Sequence, residues 1–260
     1  MGIGSGWRIA NQAHLRIVNG ILSRHEHIAL QWFAPRIPRS LTPDHLTGFA
    51  LFGAVLASIG LAASNVSNVF LALVILGLVI NWLGDSLDGT LARYRKIERP
   101  RYGFFVDHIC DAGAQILIGV GLGLSPYMRL DVACLALVAY LVLSVYTLVK
   151  LHVTRTMQLT YLGIGPTEVR ALIAAGAVAS LCVDLPAIEI AGQTMTIFDA
   201  VALVFIALAL AGAMRAFFRD ARHLARLDPP PALSLTETIM GDPQTPNGEL
   251  VRKVLRCPTR

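Results

Sequence analysis

The chain has 260 residues, of which 55% are hydrophobic and only 15% are charged. That composition is too apolar for an ordinary soluble domain. The formal net charge is +5, but no nucleic-acid-binding motif accompanies it, so we assign the positive charge to loops that face lipid and expect no nucleic-acid partner. The four cysteines form no pairing or metal-binding pattern.

The N-terminal segment, residues 1–44, precedes the first long apolar run and shows no signal peptide. Apolar residues recur within it at helical spacing among basic ones: Leu15, Val18, Leu22, Ala29 and Trp32. This pattern predicts an amphipathic helix that lies in the membrane interface with its basic side towards anionic lipid. A short soluble helix fits the same pattern.

Six apolar stretches approach or exceed the roughly 20 residues that are needed to cross a bilayer. They are Leu46–Ala63, Val69–Leu91, Phe104–Leu124, Leu130–Lys150, Glu168–Val183 and Ile197–Phe217. We therefore predict an all-α integral membrane protein with six transmembrane helices in residues 45–220 and an N-terminal interfacial amphipathic helix.

Basic residues predict the orientation of these spans. They concentrate in the N-terminal segment, in the loop after the second span, around the loop between the fourth and fifth spans, and after the sixth span, whereas the other loops carry only Arg129. We expect a multi-pass protein of a bacterial inner membrane with both termini in the cytoplasm. Residues 221–260 include the run Pro229–Pro231 and are predicted to form a disordered cytoplasmic tail.

Four aspartates lie in two pairs where the second span ends and the third begins: Asp85 with Asp88, and Asp107 with Asp111. Spacings of three and four residues place each pair on one helix face. An ionised carboxylate beside an apolar span is costly and usually has a function. Two such helices facing each other would bring four carboxylates together, which suits a hard divalent cation. This predicts a metal site at the cytoplasmic face.

Three further residues near the aspartates suggest a bound diphosphate. Gly89 and Gly103 leave space for close approach of a ligand, and Arg93 supplies a cation for phosphate oxygens. A pair of metal ions there would bridge the diphosphate and stabilise charge on the leaving phosphate.

This stretch resembles the signature of the CDP-alcohol phosphotransferases. Its fixed positions are met by Asp85, Asp88, Gly89, Ala92, Arg93, Gly103, Asp107 and Asp111. The spacer between Arg93 and Gly103 has one residue more than is usual in the family. A second similarity lies just before the first span, where Thr42-Pro43-Asp44 resembles the family's Thr-Pro-Asn. The resemblance extends from about Ser40 to Arg170, and six spans also match the family.

The resemblance implies transfer of a phosphatidyl or phospho-alcohol group from a CDP-linked donor to an alcohol in phospholipid biosynthesis, with release of CMP. Asp85, Asp88 and Asp107 would hold Mg²⁺ or Mn²⁺, expected as two ions. Asp111, which is also a candidate ligand, would be the catalytic base. Gly89, Ala92, Arg93 and Gly103 would bind the nucleotide. A homodimer is expected on family grounds.

The sequence specifies the donor and the acceptor alcohol less closely than it specifies the reaction. A compact six-span chain favours CDP-diacylglycerol as the donor. The alternative is a CDP-choline or CDP-ethanolamine:diacylglycerol phosphotransferase, because Asp107-His108-Ile109-Cys110-Asp111 is similar to the Asp-His-Gly-Cys-Asp of that branch. Candidate acceptor contacts are His108, Lys150, Arg155, Thr167, Glu168 and Arg170. Around Thr167 a structural interpretation competes, in which Thr167 caps the fifth span and Arg170 extends to the interface.

A divalent-cation transporter is the alternative from another class, with the same aspartates as permeation ligands. A transport site is expected near the midplane, with polar residues along several spans. Here the carboxylates cluster at one membrane face. An intramembrane aspartyl protease would need two aspartates that share a proton, and four with Gly and Arg between them fit that poorly.

Overall fold

The computed structural model describes residues 15–17, 23–154, 156–158, 165–183, 188–190 and 193–229. In this part of the chain the fold is all-α, as predicted. The helices are α1 (Ser23–Phe33), α2 (Pro43–Ala63), α3 (Leu71–Arg95), α4 (Pro100–Gly123), α5 (Leu130–Thr154), α6 (Pro166–Cys182) and α7 (Ile197–Leu227). The chain forms two compact units, Met1–Met214 and Arg215–Arg260, and every contact discussed below lies within the first.

Four short strands lie outside the helices. Strand β1 (Leu15–Ile17) pairs in parallel with β2 (Thr156–Gln158), and β3 (Ile188–Ile190) forms an antiparallel pair with β4 (Gln193–Met195). Of the residues that predicted the interfacial helix, Leu15 lies in β1, Ala29 and Trp32 lie in α1, and Val18 and Leu22 lie outside the described residues. Leu15 is in a strand because a segment distant in sequence supplies the backbone hydrogen bonds, and local periodicity does not report such a partner.

Five helices are long and apolar enough to cross a membrane among the described residues: α2, α3 with the 3₁₀ turn before it, α4, α5 and α7. The predicted span Glu168–Val183 lies in α6, which has 17 residues. At about 1.5 Å per residue, α6 is about 26 Å long, slightly less than the ~30 Å hydrocarbon core. The count of six spans is thus not confirmed. Helix α7 continues to Leu227, past the predicted limit of the membrane domain, and residues 230–260 lie outside the described residues.

Helices α2 and α3 contact each other backbone to backbone. A Cβ atom built on Gly53 of α2 would lie 2.4 Å from the backbone nitrogen of Asn81, and one on Gly77 of α3 would lie 2.5 Å from the backbone nitrogen of Ala57. The buried side chain of Asn81 donates a hydrogen bond of 2.9 Å to the carbonyl of Ala50. Small residues allow this approach, which membrane helices use because lipid gives them no hydrophobic driving force to associate.

Helix α2 also packs against α4, so it is the common neighbour of the two helices that carry the aspartates. A Cβ atom on Gly121 of α4 would lie 2.9 Å from the Cα atom of Ser58. Helices α3 and α4 each make far more contact with α2 than with each other. The positions of α3 and α4 relative to one another are therefore set through α2.

The turn between α3 and α4 is short because α3 ends in a left-handed residue. Lys96 has φ 59°, and the amide of Ile97 donates to the carbonyl of Ala92 at 3.0 Å. This is the pattern of a helix C-terminus closed by a left-handed residue. Because α4 begins at Pro100, both aspartate pairs lie at the same end of the bundle, which we call the acidic end.

Two arginines fasten this turn to the segment that precedes α2. Arg95 donates three hydrogen bonds to backbone carbonyls, those of Ile37 (2.9 Å), Pro38 (2.9 Å) and Leu41 (2.5 Å). Arg99 forms an ion pair with Asp44 in the first turn of α2. The basic loop thus contacts the protein itself, which keeps the starts of α2 and α4 together.

We expect Gly53→Ala to destabilise the protein by roughly 1–3 kcal/mol, the usual cost of overpacking a close contact. The added methyl group would meet backbone atoms of α3, which cannot yield unless the helices separate. Gly48→Ala in the same helix is the matched control, since a Cβ atom there has nothing within 4 Å. Thermal unfolding of both variants in one detergent measures the difference, and equal midpoints would contradict the close contact.

Candidate metal centre

Three of the four aspartates form one group at the acidic end. Asp85 of α3 and Asp107 and Asp111 of α4 each place a carboxylate oxygen within 4.8 Å of the others, and all three residues are half-buried. We call these three residues the acidic cluster. Carboxylate oxygens from two helices at this spacing fit a hard divalent cation such as Mg²⁺ or Mn²⁺. The donor set therefore fits the metal that the sequence predicts.

The fourth aspartate, Asp88, is buried and has its own partners. Its Oδ2 accepts a hydrogen bond of 2.7 Å from the hydroxyl of Thr47 in α2, and its Oδ1 accepts one of 2.5 Å from the amide of Gly89. Thr47 was not singled out from the sequence, although it lies three residues after the Thr42-Pro43-Asp44 segment that resembles the family. The contact holds the Asp88 carboxylate towards α2, and a place for Asp88 in the metal set stays a prediction.

An arginine from a third helix enters the acidic cluster. Nη1 of Arg170 in α6 lies 2.7 Å from Oδ2 of Asp85, and its Nη2 lies 4.0 Å from Oδ1 of Asp111. The Arg170 side chain is only 13% exposed, so it does not extend to the interface as the structural interpretation held. Since three carboxylates in a half-buried site repel one another, this guanidinium offsets part of their charge. This location of the Arg170 side chain does not test its predicted contact with an acceptor, which stays a prediction.

The start of α6 also differs from the structural interpretation. Gly165, not Thr167, precedes the helix, and its amide donates to Oε2 of Glu168 at 2.9 Å. The hydroxyl of Thr167 instead donates to Oε2 of Glu26 in α1 at 3.2 Å. Glu168 thus reaches back to the helix N-terminus as a capping residue does, and the acceptor contacts predicted for both residues stay predictions.

Glu26 is a residue that the sequence did not single out. Besides the hydroxyl of Thr167, its carboxylate accepts hydrogen bonds from the indole N–H of Trp82 at 3.0 Å and from the hydroxyl of Ser86 at 2.7 Å. Ser86 directly follows Asp85, a member of the acidic cluster, in the sequence. The only sequence signal is an acid within a basic helix, between His25 and His27, which does not reveal a partner in α3 or α6.

The predicted nucleotide-binding residues lie at the acidic end. Helix packing there does not require glycine at position 89 or 103. A Cβ atom on Gly103 would meet nothing within 4 Å, and one on Gly89 would meet only the guanidinium of Arg93, at 3.3 Å. Arg93 itself donates to the hydroxyl of Thr90 at 3.2 Å. Ala92 lies on the last turns of α3. These positions leave space beside α3 and α4, as expected if a ligand occupies it.

The remaining predicted acceptor contacts are His108, Lys150 and Arg155. The ring of His108 stacks on Phe104 at 4.1 Å between centroids, and its Nδ1 lies 2.9 Å from the Phe104 carbonyl and 3.5 Å from Oδ2 of Asp107. Lys150 lies near the end of α5. Arg155 lies outside the described residues.

A cavity of about 490 Å³ borders the acidic cluster. Its walls come mainly from apolar side chains of α4, α5, α6 and α7, and Asp111 is the member of the cluster that lines it, beside Arg170 and Tyr140. Gln115, one turn after Asp111, also lines it, and its buried Oε1 has no hydrogen-bond partner among the described residues. The cavity joins hydrocarbon-like walls to a polar end, which suits a lipid.

We expect Arg170→Gln to destabilise the protein in EDTA and to make its stability depend more strongly on divalent cations. Removing one partner of a partly buried ion pair leaves the carboxylates uncompensated, at a cost of roughly 2–4 kcal/mol. A more negative cluster binds a cation more tightly, so adding Mg²⁺ should raise the melting temperature more in this variant than in the wild type. Equal Mg²⁺-induced shifts in the two proteins would show that Arg170 and the cation do not share the site.

Comparison with known proteins gives one family match. A family model described as CDP-alcohol phosphatidyltransferase matches residues 40–214, a range that holds the acidic cluster, Asp88 and Arg170. No curated protein matches the chain.

Proposed function

The chain belongs to the CDP-alcohol phosphatidyltransferase family, and we propose that it carries out metal-dependent transfer of a phosphatidyl group from CDP-diacylglycerol to an alcohol, with release of CMP. Family membership supports the coarser statement, a membrane-bound transferase of lipid synthesis that uses a CDP-alcohol. The observation that carries the finer proposal is the acidic cluster, whose three carboxylates come from the two helices of the family signature.

We assign metal binding to Asp85, Asp88, Asp107 and Asp111, with two Mg²⁺ or Mn²⁺ ions. Bound there, these ions would neutralise the diphosphate and stabilise charge on the leaving CMP. The residues of the chain then position the reactants, because attack on a phosphate depends more on orientation and charge than on covalent help. The Arg170 guanidinium keeps the Asp85 carboxylate in place.

Asp111 is the proposed general base for the attacking hydroxyl. It lines the cavity on one side and belongs to the acidic cluster on the other, so a hydroxyl entering from the cavity would meet its carboxylate. The side-chain oxygen of Gln115, which has no hydrogen-bond partner in the described part of the chain, is one turn further along α4. That oxygen can accept a hydrogen bond from a substrate, which would help to orient an alcohol at the polar end of the cavity.

We propose that the nucleotide lies beside Gly89, Ala92, Arg93 and Gly103. The open space at Gly103 and the flexible side chain next to Gly89 leave room for a cytidine diphosphate along α3 and α4. Arg93 would then contact phosphate oxygens, for which a guanidinium is well suited.

The apolar cavity supports a donor that carries acyl chains, and hence CDP-diacylglycerol. The alternative, a CDP-choline or CDP-ethanolamine donor with diacylglycerol as acceptor, would use the same cavity for the acceptor. His108 would distinguish the two branches if it took part in the chemical step, but its contacts are local ones, to Phe104 and Asp107. His108, Lys150, Arg155, Thr167, Glu168 and Arg170 remain the proposed acceptor contacts.

The loop charges support a site and termini in the cytoplasm, the side from which a water-soluble alcohol would reach the site. Helix α1 is proposed to lie at that interface, since Ile28 and Trp32 on one of its faces are exposed. A homodimer belongs to the proposal on family grounds.

The deciding experiment measures CMP release by the purified protein in detergent with Mg²⁺. CDP-diacylglycerol would be offered with serine, glycerol 3-phosphate, inositol, inositol phosphate or choline, and CDP-choline or CDP-ethanolamine with diacylglycerol. We expect CMP with one CDP-diacylglycerol pair, its loss in EDTA and its recovery with Mg²⁺ or Mn²⁺. CMP only from a CDP-amino-alcohol would establish the alternative branch, and turnover in EDTA would refute the metal-dependent mechanism.

Asp85→Asn and Asp107→Asn should each lower CMP release by at least about a hundredfold, since the change removes a metal ligand and its negative charge. Asp88→Asn should do the same if Asp88 is a ligand in addition to its contact with Thr47. The matched control is Asp131→Asn, at the start of α5 next to the opposite end of α4, where the carboxylate pairs with Arg129. Normal turnover in any of the first three variants, with unchanged unfolding, would remove that residue from the metal set.

A further inference from the structure

A single carboxylate on the first helix connects three elements beside the acidic cluster. Glu26 of α1 accepts hydrogen bonds from Trp82 and Ser86 of α3 and from Thr167 of α6, at 3.0, 2.7 and 3.2 Å. All three partners donate to it, and the residue is half-buried. A carboxylate with several donors is a strong, charge-assisted arrangement. Glu26 therefore fixes α1, α3 and α6 at one point.

Both helices held by Glu26 contribute to the ion pair of the site. Ser86 is adjacent to Asp85, and Thr167 lies three residues before Arg170, which places Thr167 and Arg170 about one helical turn apart. Besides packing directly against each other, α3 and α6 have two polar connections, one through Glu26 and one through the 2.7 Å contact between Arg170 and Asp85. The first connection restricts how far α6 can shift along α3, and so where the guanidinium of Arg170 meets the acidic cluster.

We propose that Glu26 is a positioning residue, which holds the first turn of α6 against α3 so that Arg170 meets Asp85 in the geometry that the transfer reaction needs. Glu26 does not itself contact a reacting group. The inference rests on the proposed function for its kinetic effect. The connection of α6 to α3 through Glu26 can be measured without turnover.

Substitution with glutamine separates positioning from charge. The amide oxygen of glutamine can still accept from Trp82 and Ser86, and its NH₂ group can donate to the hydroxyl of Thr167, which is able to accept. Alanine removes all three connections. If Glu26 acts through its hydrogen bonds, Glu26→Gln should restore most of what Glu26→Ala loses.

The kinetic test compares kcat and KM for CMP release, using the substrate pair identified above. We expect Glu26→Ala to lower kcat about tenfold or more, since a small misplacement of a positioning group has effects of this size, while Glu26→Gln stays within about threefold of the wild type. In an Arg170→Gln background, Glu26→Ala should have little further effect, because the two residues act through one contact. Additive losses, or an equal loss with Glu26→Gln, would overturn the proposal.

The structural test uses hydrogen exchange in detergent at the amides of residues 169–172, the first in α6 that donate helical hydrogen bonds. We expect exchange there to speed up in Glu26→Ala and in the milder Thr167→Val, which cuts only the connection to α6. The matched control is Asp199→Ala, which removes another buried carboxylate with several donors: the amides of Arg129 and Thr196 and the Thr196 hydroxyl. We expect that variant to be less stable, but the contacts it loses do not involve α3, so exchange at residues 169–172 should stay unchanged.

The two tests fail in different ways. A wild-type protein that releases no CMP from any pair refutes the proposed function, but faster exchange in Thr167→Val would still support the connection through Glu26. Normal kcat in Glu26→Ala, from a wild type that is active, overturns the positioning role. Unchanged exchange at residues 169–172 in both Glu26→Ala and Thr167→Val overturns it as well.

Discussion

The structure depends on the backbone contact between α2 and α3. Gly53 and Gly77 allow two helices to approach so closely that a methyl group on either would overlap the other's backbone. Because α2 packs against α4 as well, this contact fixes both helices that carry the acidic cluster. Carboxylates that repel one another do not assemble a site by themselves, so a scaffold that holds them must be rigid before a cation binds.

The carboxylates at the acidic end are held by side chains from more helices than the two that carry the family signature. The signature residues lie on α3 and α4, but Thr47 of α2 holds Asp88, Arg170 of α6 offsets Asp85, and Glu26 of α1 joins α3 to α6. Each of these contacts pairs a carboxylate with hydrogen-bond donors, as a half-buried acid requires. The site is therefore better described as the meeting point of five helices than as one loop.

The sequence predicts those features that depend on residues close together along the chain. The spacing of Asp107 and Asp111 specifies a shared helix face, and apolar runs specify spans, so the helices and the two acid pairs were predictable. The partners of Glu26 were not predictable, because Ser86 and Thr167 lie 60 and 141 positions away in the sequence, and hydrogen bonds at such separations leave no periodic signal. Arg170 was predicted as a contact for an acceptor, but its pairing with Asp85 depends on how α6 packs. The place of Leu15 in β1 was not predictable for the same reason, since β1 pairs with a distant strand.

The arginines of the turn between α3 and α4 act at two stages in the life of the protein. In the proposed orientation, Arg95 and Arg99 add to the positive charge that keeps this loop in the cytoplasm while the chain is inserted into the membrane. After folding, Arg95 is bound to three backbone carbonyls and Arg99 to Asp44, so neither is needed by lipid phosphates. Lysine would preserve the first duty but not the planar set of donors used in the second. Insertion thus requires only positive charge at these positions, whereas the contacts of the folded state require the guanidinium of arginine.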